Sequence, residues 1–273
     1  MFVIALPAFS QIHWINDYDQ AEQIAKINGK LIVLDFWASW CGPCLEMDKK
    51  VWSHEDMYAL NNDFVFVKIN VDRDRSFSQN MMVKVLPTLI VMDIDKNRLH
   101  ESKGYADVDQ VLHYFEDLPS DVSFIYQKME EVSSDTKNWK AVLDIALAYN
   151  DFAGNAENTS AKRSLYTASS HYFKKAGKAA KGSEADQEIV DIYETLSKAQ
   201  RTNPEKAIKD LDKLYASSTG SNEDLFNYAY CCGFMLQGDL SKADSYYNKL
   251  TTSEGTEDLI TKIDVLKETS DEH

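Results

Sequence analysis

LDFWASWCGPC, Leu34 to Cys44, is the stretch on which the fold of this chain turns. It starts inside an apolar run, Leu31 to Phe36, of the kind that forms a strand buried on both faces. It ends in two tryptophans and a Cys-Gly-Pro-Cys pair, and Pro43 is tolerated in the first turn of a helix, where its missing N–H costs little. The pair is therefore expected where a buried strand gives way to a helix. Three chemistries use cysteines this close. Structural zinc needs two further ligands, and the other cysteines, Cys231 and Cys232, are adjacent residues that cannot easily both point at one ion. A purely structural disulfide over so short a loop removes little chain entropy. A redox-active dithiol suits the setting best, because the N–H groups and dipole at a helix N-terminus stabilise a thiolate.

Outward from the pair, the pattern is mixed. DYDQAEQIAKINGK reads as a helix with Ala21, Ile24, Ala25 and Ile27 mostly on one side and Gly29 as its C-terminal cap. FVFVKIN (Phe64 to Asn70) and TLIVM (Thr88 to Met92) are further strand signals, with Ser53 and Asp56 a capping-box-like start to the segment through Leu60. Asp95, Lys96 and Asn97 form a hairpin turn into RLHESK, and DVDQVLHYFEDL closes the region as an amphipathic helix. The expected fold is a mixed central sheet flanked by helices over residues 11–118, bounded by Leu118, Pro119 and Ser120.

The motif and its surroundings resemble thioredoxin. Besides DFWASWCGPC, VKINVDRD (Val67 to Asp74) is similar to that family's central strand, VLPTLIV (Val85 to Val91) to its cis-proline segment and SKGYAD to the approach to its terminal helix. MDKKVWSHEDM is more similar to the thioredoxin-like domains of periplasmic disulfide reductases. The resemblance covers under half of the chain. It implies thiol-disulfide exchange with protein thiols and disulfides and no cofactor, with Cys41 as the exposed attacking thiolate and Cys44, one helical turn deeper, as the shielded resolving thiol. Asp35, which interrupts an apolar strand, is implied to be the buried acid beneath the motif, with Lys68 as its partner and Pro87 as the cis-proline. Trp40, Gly42, Pro43, Val85, Leu86 and Gly104 are implied to line an uncharged docking rim, while Trp37 is read as core. The Gly-Pro pair and the buried acid resemble reductases or isomerases more than strong oxidants. Peroxide reduction would want an arginine and a threonine around the thiolate, and neither is near Cys41.

Residues 119–273 carry helix signals and no strand signals. TASSHYFKKAG, EKAIKDLDKLY and SKADSYYNKL each place an alanine (Ala168, Ala207, Ala243) four residues before Tyr or Leu, at spacings of 39 and 36. That resembles degenerate tetratricopeptide repeats, whose paired helices need a small residue at their crossing, and implies a groove for a protein or peptide partner. A rival reading makes this half the working part, a binding or assembly module carrying the other half as scaffold. YAYCCGFML is an apolar helical run in which Cys231 and Cys232 act as small hydrophobes. His54 is expected solvated in a helix first turn.

The chain has 273 residues, 44% of them hydrophobic, and a formal charge of −15. The excess is spread evenly, −7 up to Leu118 and −8 beyond. An acidic surface repels nucleic acid and anionic lipid alike, and no run reaches the ~20 apolar residues of a membrane span. MFVIALPAFSQ places small residues at Ala8 and Ser10, the spacing a signal peptidase reads, though without a basic start. Residues 1–10 are thus expected to be an export-signal remnant, giving a periplasmic or secreted protein, with the cytoplasm as the alternative.

Overall fold

The computed structural model describes residues 11–270, so the expected export signal at 1–10 lies outside the described residues. Five strands form one sheet in the order β1 (Trp14–Ile15), β3 (Phe64–Asn70), β2 (Leu31–Trp37), β4 (Thr88–Met92) and β5 (Arg98–Lys103). β3 runs parallel to β1 and β2, whereas β4 is antiparallel to β2 and β5 to β4. The three apolar runs and the hairpin are where the sequence puts them. β1 is too short to leave a periodic signal.

Alternation along β2 divides its side chains between two faces. Ile32, Leu34 and Phe36 join Val65, Val67, Ile69, Ile90 and Met92 in a core with Ala21 and Ala25 of α1 (Tyr18–Asn28). Leu31, Val33, Asp35 and Trp37 therefore face the other way. On that side Phe115 of α4 (Val108–Phe115) packs on Phe64 and Phe66 at centroid separations of 4.8 and 6.1 Å. Trp52, just beyond α2 (Gly42–Lys50), meets Phe66 edge-on at 6.1 Å. The face that carries Asp35 is thus also the face under α2. Trp37, read as core, is only half-buried on this side.

Local chemistry sets the helix ends. Asp17 accepts from Gln20 N–H at 2.7 Å to start α1, and Gly29 ends it in the left-handed region at φ 63°. Asp107 and Gln110 form a reciprocal capping box at α4. The expected box at Ser53 and Asp56 is not formed. The Ser53 hydroxyl instead donates to Lys49 O at 2.7 Å, a pull that the exposed carbonyls of a helix end exert on hydroxyls. His54, exposed as expected, caps the 3-10 helix Glu55–Asn62 by accepting from Asp56 N–H. α3 (Arg75–Asn80) follows β3.

Past α4, the described residues are helical throughout: α5 (Ser123–Ser134), α6 (Trp139–Asn155), α7 (Thr159–Ala180), α8 (Glu184–Arg201), α9 (Pro204–Ser217), α10 (Glu223–Gln237), α11 (Leu240–Thr251) and α12 (Glu257–Ser270). The chain divides into two units, one reaching Glu130 and including Asp151–Ala168, the other comprising Glu131–Asn150 and the residues from Ser169 onward. In the second, α10 packs against α8, α9, α11 and α12. Its nine consecutive residues Phe226 to Phe234 are buried, with Ala207 and Ala243 in the same core. Cys231 and Cys232 lie there as free thiols. Among the described residues, no helix is long and apolar enough to cross a membrane.

Candidate active site

β2 delivers the chain to the mouth of α2 through a turn in which Cys41 N–H donates to Ala38 O at 3.1 Å. Cys41 is the N-cap of α2, its sulfur accepting from Cys44 N–H at 3.2 Å, with Gly42 and Pro43 in the first turn. Cys41 and Cys44 are joined in a disulfide, their Cα atoms 5.3 Å apart. The anticipated contrast between an open Cys41 and a shielded Cys44 is not present in this form: the residues are 5% and 3% exposed. Ala38 and the half-buried Trp37, Val71 and Leu86 pack around the pair.

The rim residues come from three segments. The Leu86–Pro87 peptide bond is cis, and Leu86 packs on the disulfide while Val85 is exposed. Gly104 N–H donates to Pro87 O at 2.8 Å, which ties the end of β5 to the proline segment. Trp40 is 67% exposed, held by its indole N–H donating to Asp72 Oδ2 at 2.8 Å. Gly42 and Pro43 are exposed, and a Cβ at Gly42 would meet nothing within 4 Å, so the approach to the sulfurs is open there.

On the sheet face under α2, Asp35 is 4% exposed, and the sheet register sets it beside Lys68 of β3 and Leu89 of β4. Lys68 Nζ stands 3.2 Å from Asp35 Oδ2, and burial outweighs this attraction, raising the Asp35 pKa to about 6. The same ammonium also pairs with Asp48 of α2 and lies over the rings of Trp14 and Trp37, at 4.8 and 5.4 Å from their centroids. Its solvation is thus replaced by two carboxylates and two aromatic faces. A carboxyl group whose pKa is raised to about 6, on the sheet face under the helix that carries the sulfur pair, can take up or release a proton within the working pH range.

The thioredoxin family model matches residues 11–117. Over 98 residues the chain is 36% identical to thioredoxin-1 of Drosophila melanogaster, a match spanning 36% of this chain and 86% of that protein. The chain belongs to the thioredoxin family. The thioredoxin domain is also 27% identical over 112 residues to the thiol:disulfide interchange protein DsbD of Photorhabdus laumondii, covering 38% of this chain and 20% of that one. Among solved structures, Malassezia sympodialis thioredoxin aligns at 27% identity over 39% of this chain and 90% of its own, with a TM-score of 0.33.

Three residues of this thioredoxin domain's site escaped sequence reasoning. Asp48 follows Cys44 by four positions, so the helical period alone puts both on one face of α2. That signal was available. Trp14 and Trp52 were not readable, since their contact with the site depends on pairing of β1 with β3 and on the chain direction after α2.

Proposed function

We propose that this chain is a protein thiol-disulfide oxidoreductase working in the reductase or isomerase direction. The observation that carries the reading is the sulfur pair at the N-cap of α2, with a buried carboxyl group whose pKa is raised to about 6 on the sheet face under that helix. In reduction, the Cys41 thiolate attacks a substrate disulfide and forms a mixed disulfide, and the first substrate sulfur leaves as a thiolate that takes a proton from water. Asp35 removes the proton from Cys44. The Cys44 thiolate then attacks Cys41 Sγ, closing the bond present here and releasing the second substrate sulfur. Two electrons pass from the dithiol to the substrate, and a dithiol donor restores the pair. The membership of the thioredoxin family and the likeness to an interchange protein support this chemistry.

Lys68 orients Asp35 in this scheme. The cis Leu86–Pro87 segment, with Trp40, Gly42, Pro43, Val85 and Gly104, offers an extended client an uncharged surface beside the sulfurs. The second unit is proposed to be a tetratricopeptide-like stack that engages a protein or peptide partner, supported by the way α8, α10 and α12 pack in sequence with α9 and α11 between them in the chain. An exported setting, periplasmic or secreted, belongs to the same proposal and is checked by sequencing the mature N-terminus. For the chemistry, a Cys44→Ala variant should accumulate mixed disulfides through Cys41. Recovery of the same partners when both cysteines are replaced would overturn it in favour of a scaffold.

A further inference from the structure

Trp52 poses a question that packing does not answer. Its indole is 4% exposed, wedged edge-on against Trp14 at 5.2 Å and Phe66 at 6.1 Å, and its backbone N–H is fixed to Met47 O at 3.0 Å. Phenylalanine would supply the same ring contacts. Yet the buried indole Nε1–H has no hydrogen-bond partner among the described residues, an unfavourable state for a donor removed from water. The acceptor it lies beside is the Asp35 carboxyl group, whose ionised form it favours without completing a bond in this disulfide form. Asp35 has room for such a donor, because Lys68, the cation it pairs with, is divided between two carboxylates.

We propose that Trp52 is a positioning residue whose indole N–H closes a hydrogen bond onto the Asp35 carboxylate when that group ionises, making good the share of Lys68 that Asp48 takes. Trp52 then sets where Asp35 titrates, and through it when Cys44 gives up its proton. The inference rests on the role given to Asp35 above, but its test does not require turnover.

The measurement is the carboxyl carbon resonance of Asp35 followed against pH in the full-length disulfide form. Trp52→Phe should raise the midpoint by about one pH unit, the scale of one lost hydrogen bond to a charged acceptor. In the unsubstituted protein the Trp52 indole N–H resonance should move with the same midpoint, and that inflection should vanish in Asp35→Asn. The acid limb of disulfide reduction should shift upward together with the midpoint in Trp52→Phe. An unmoved midpoint in folded Trp52→Phe, or an indole resonance flat across the Asp35 titration, overturns the inference. Should Trp52→Phe fail to fold, the indole titration of the unsubstituted chain decides alone. A displaced midpoint in a protein that reduces no disulfide would uphold the positioning and defeat the enzymatic reading.

Discussion

Lys68 stands 3.2 Å from the Asp35 carboxylate across the β2–β3 register while the same ammonium pairs with Asp48. The arrangement holds a carboxyl group in the core at a cost. Folding raises the Asp35 pKa from 3.8 to about 6, chiefly by desolvation, so between these values the native state keeps a proton that the unfolded chain has released. Stability from this group is therefore fully present below about pH 4 and is lost as pH rises through about 6. Asp35→Asn should stabilise the disulfide form at pH 7 by roughly 1–3 kcal/mol, with the gain vanishing near pH 4. Urea unfolding at both pH values checks this. A variant less stable than the parent at pH 7 would contradict the sign.

Removing the cation should act in the opposite direction on the chemistry. In Lys68→Met, Asp35 loses the attraction that holds its pKa down, while Asp48, whose side chain is 35% exposed, can recover water. The carboxyl group then stays protonated to higher pH and is a poorer acceptor for the Cys44 proton. The acid limb of the reduction profile should move up by about one unit or more. Stopped-flow reduction of a protein disulfide over pH 5 to 9 reads it. An unshifted limb would separate Lys68 from the reaction.

How much of this was legible varies residue by residue, for physical reasons. Asp35 announced itself by breaking an apolar run, and Gly29 by ending a helical pattern, because both signals are local. Trp37, two positions after Asp35 and so on the same face of β2, packs against the sulfur pair as a core reading implies, but its place at the end of the strand leaves it only half-buried. Asp48 was reachable from its spacing to Cys44, but its purpose appears only once Lys68, twenty residues later, is brought across the sheet. The near-equal burial of Cys41 and Cys44 is not legible in the motif, since it depends on Ala38, Trp37, Val71 and Leu86, which reach the pair from separate segments.

Gly29 offers a test of packing beyond its cap role. Its φ is 63°, and a Cβ would fall 2.7 Å from Ser123 Cβ and 2.9 Å from Ser123 N, where Val122 N–H already donates to Gly29 O at 2.7 Å. Both backbone strain and a clash with main chain follow. Gly29→Ala should cost about 2–4 kcal/mol. Gly104→Ala, at φ 86° with nothing within 4 Å, should cost about 1 kcal/mol, so chemical denaturation of the pair separates crowding from conformation.

The two cysteines of α10 should remain silent in the folded chain. Burial pushes the Cys231 thiol up to about 11 and the Cys232 thiol up to about 12, and the residues are 0% and 2% exposed. At pH 8 the thiolate fraction of Cys231 is about a thousandth, and a reagent must first enter a core built from Phe226, Tyr230 and Phe234. The reduced native protein should therefore take up two equivalents of an alkylating maleimide, both lost in a Cys41→Ala, Cys44→Ala double variant, and four equivalents after denaturation. The rapid pair should show two unequal rates, with Cys41, at the helix mouth, reacting first. Equal and slow rates for all four thiols would mean that the N-cap position confers no reactivity, and the exchange chemistry proposed for Cys41 would then lack its nucleophile.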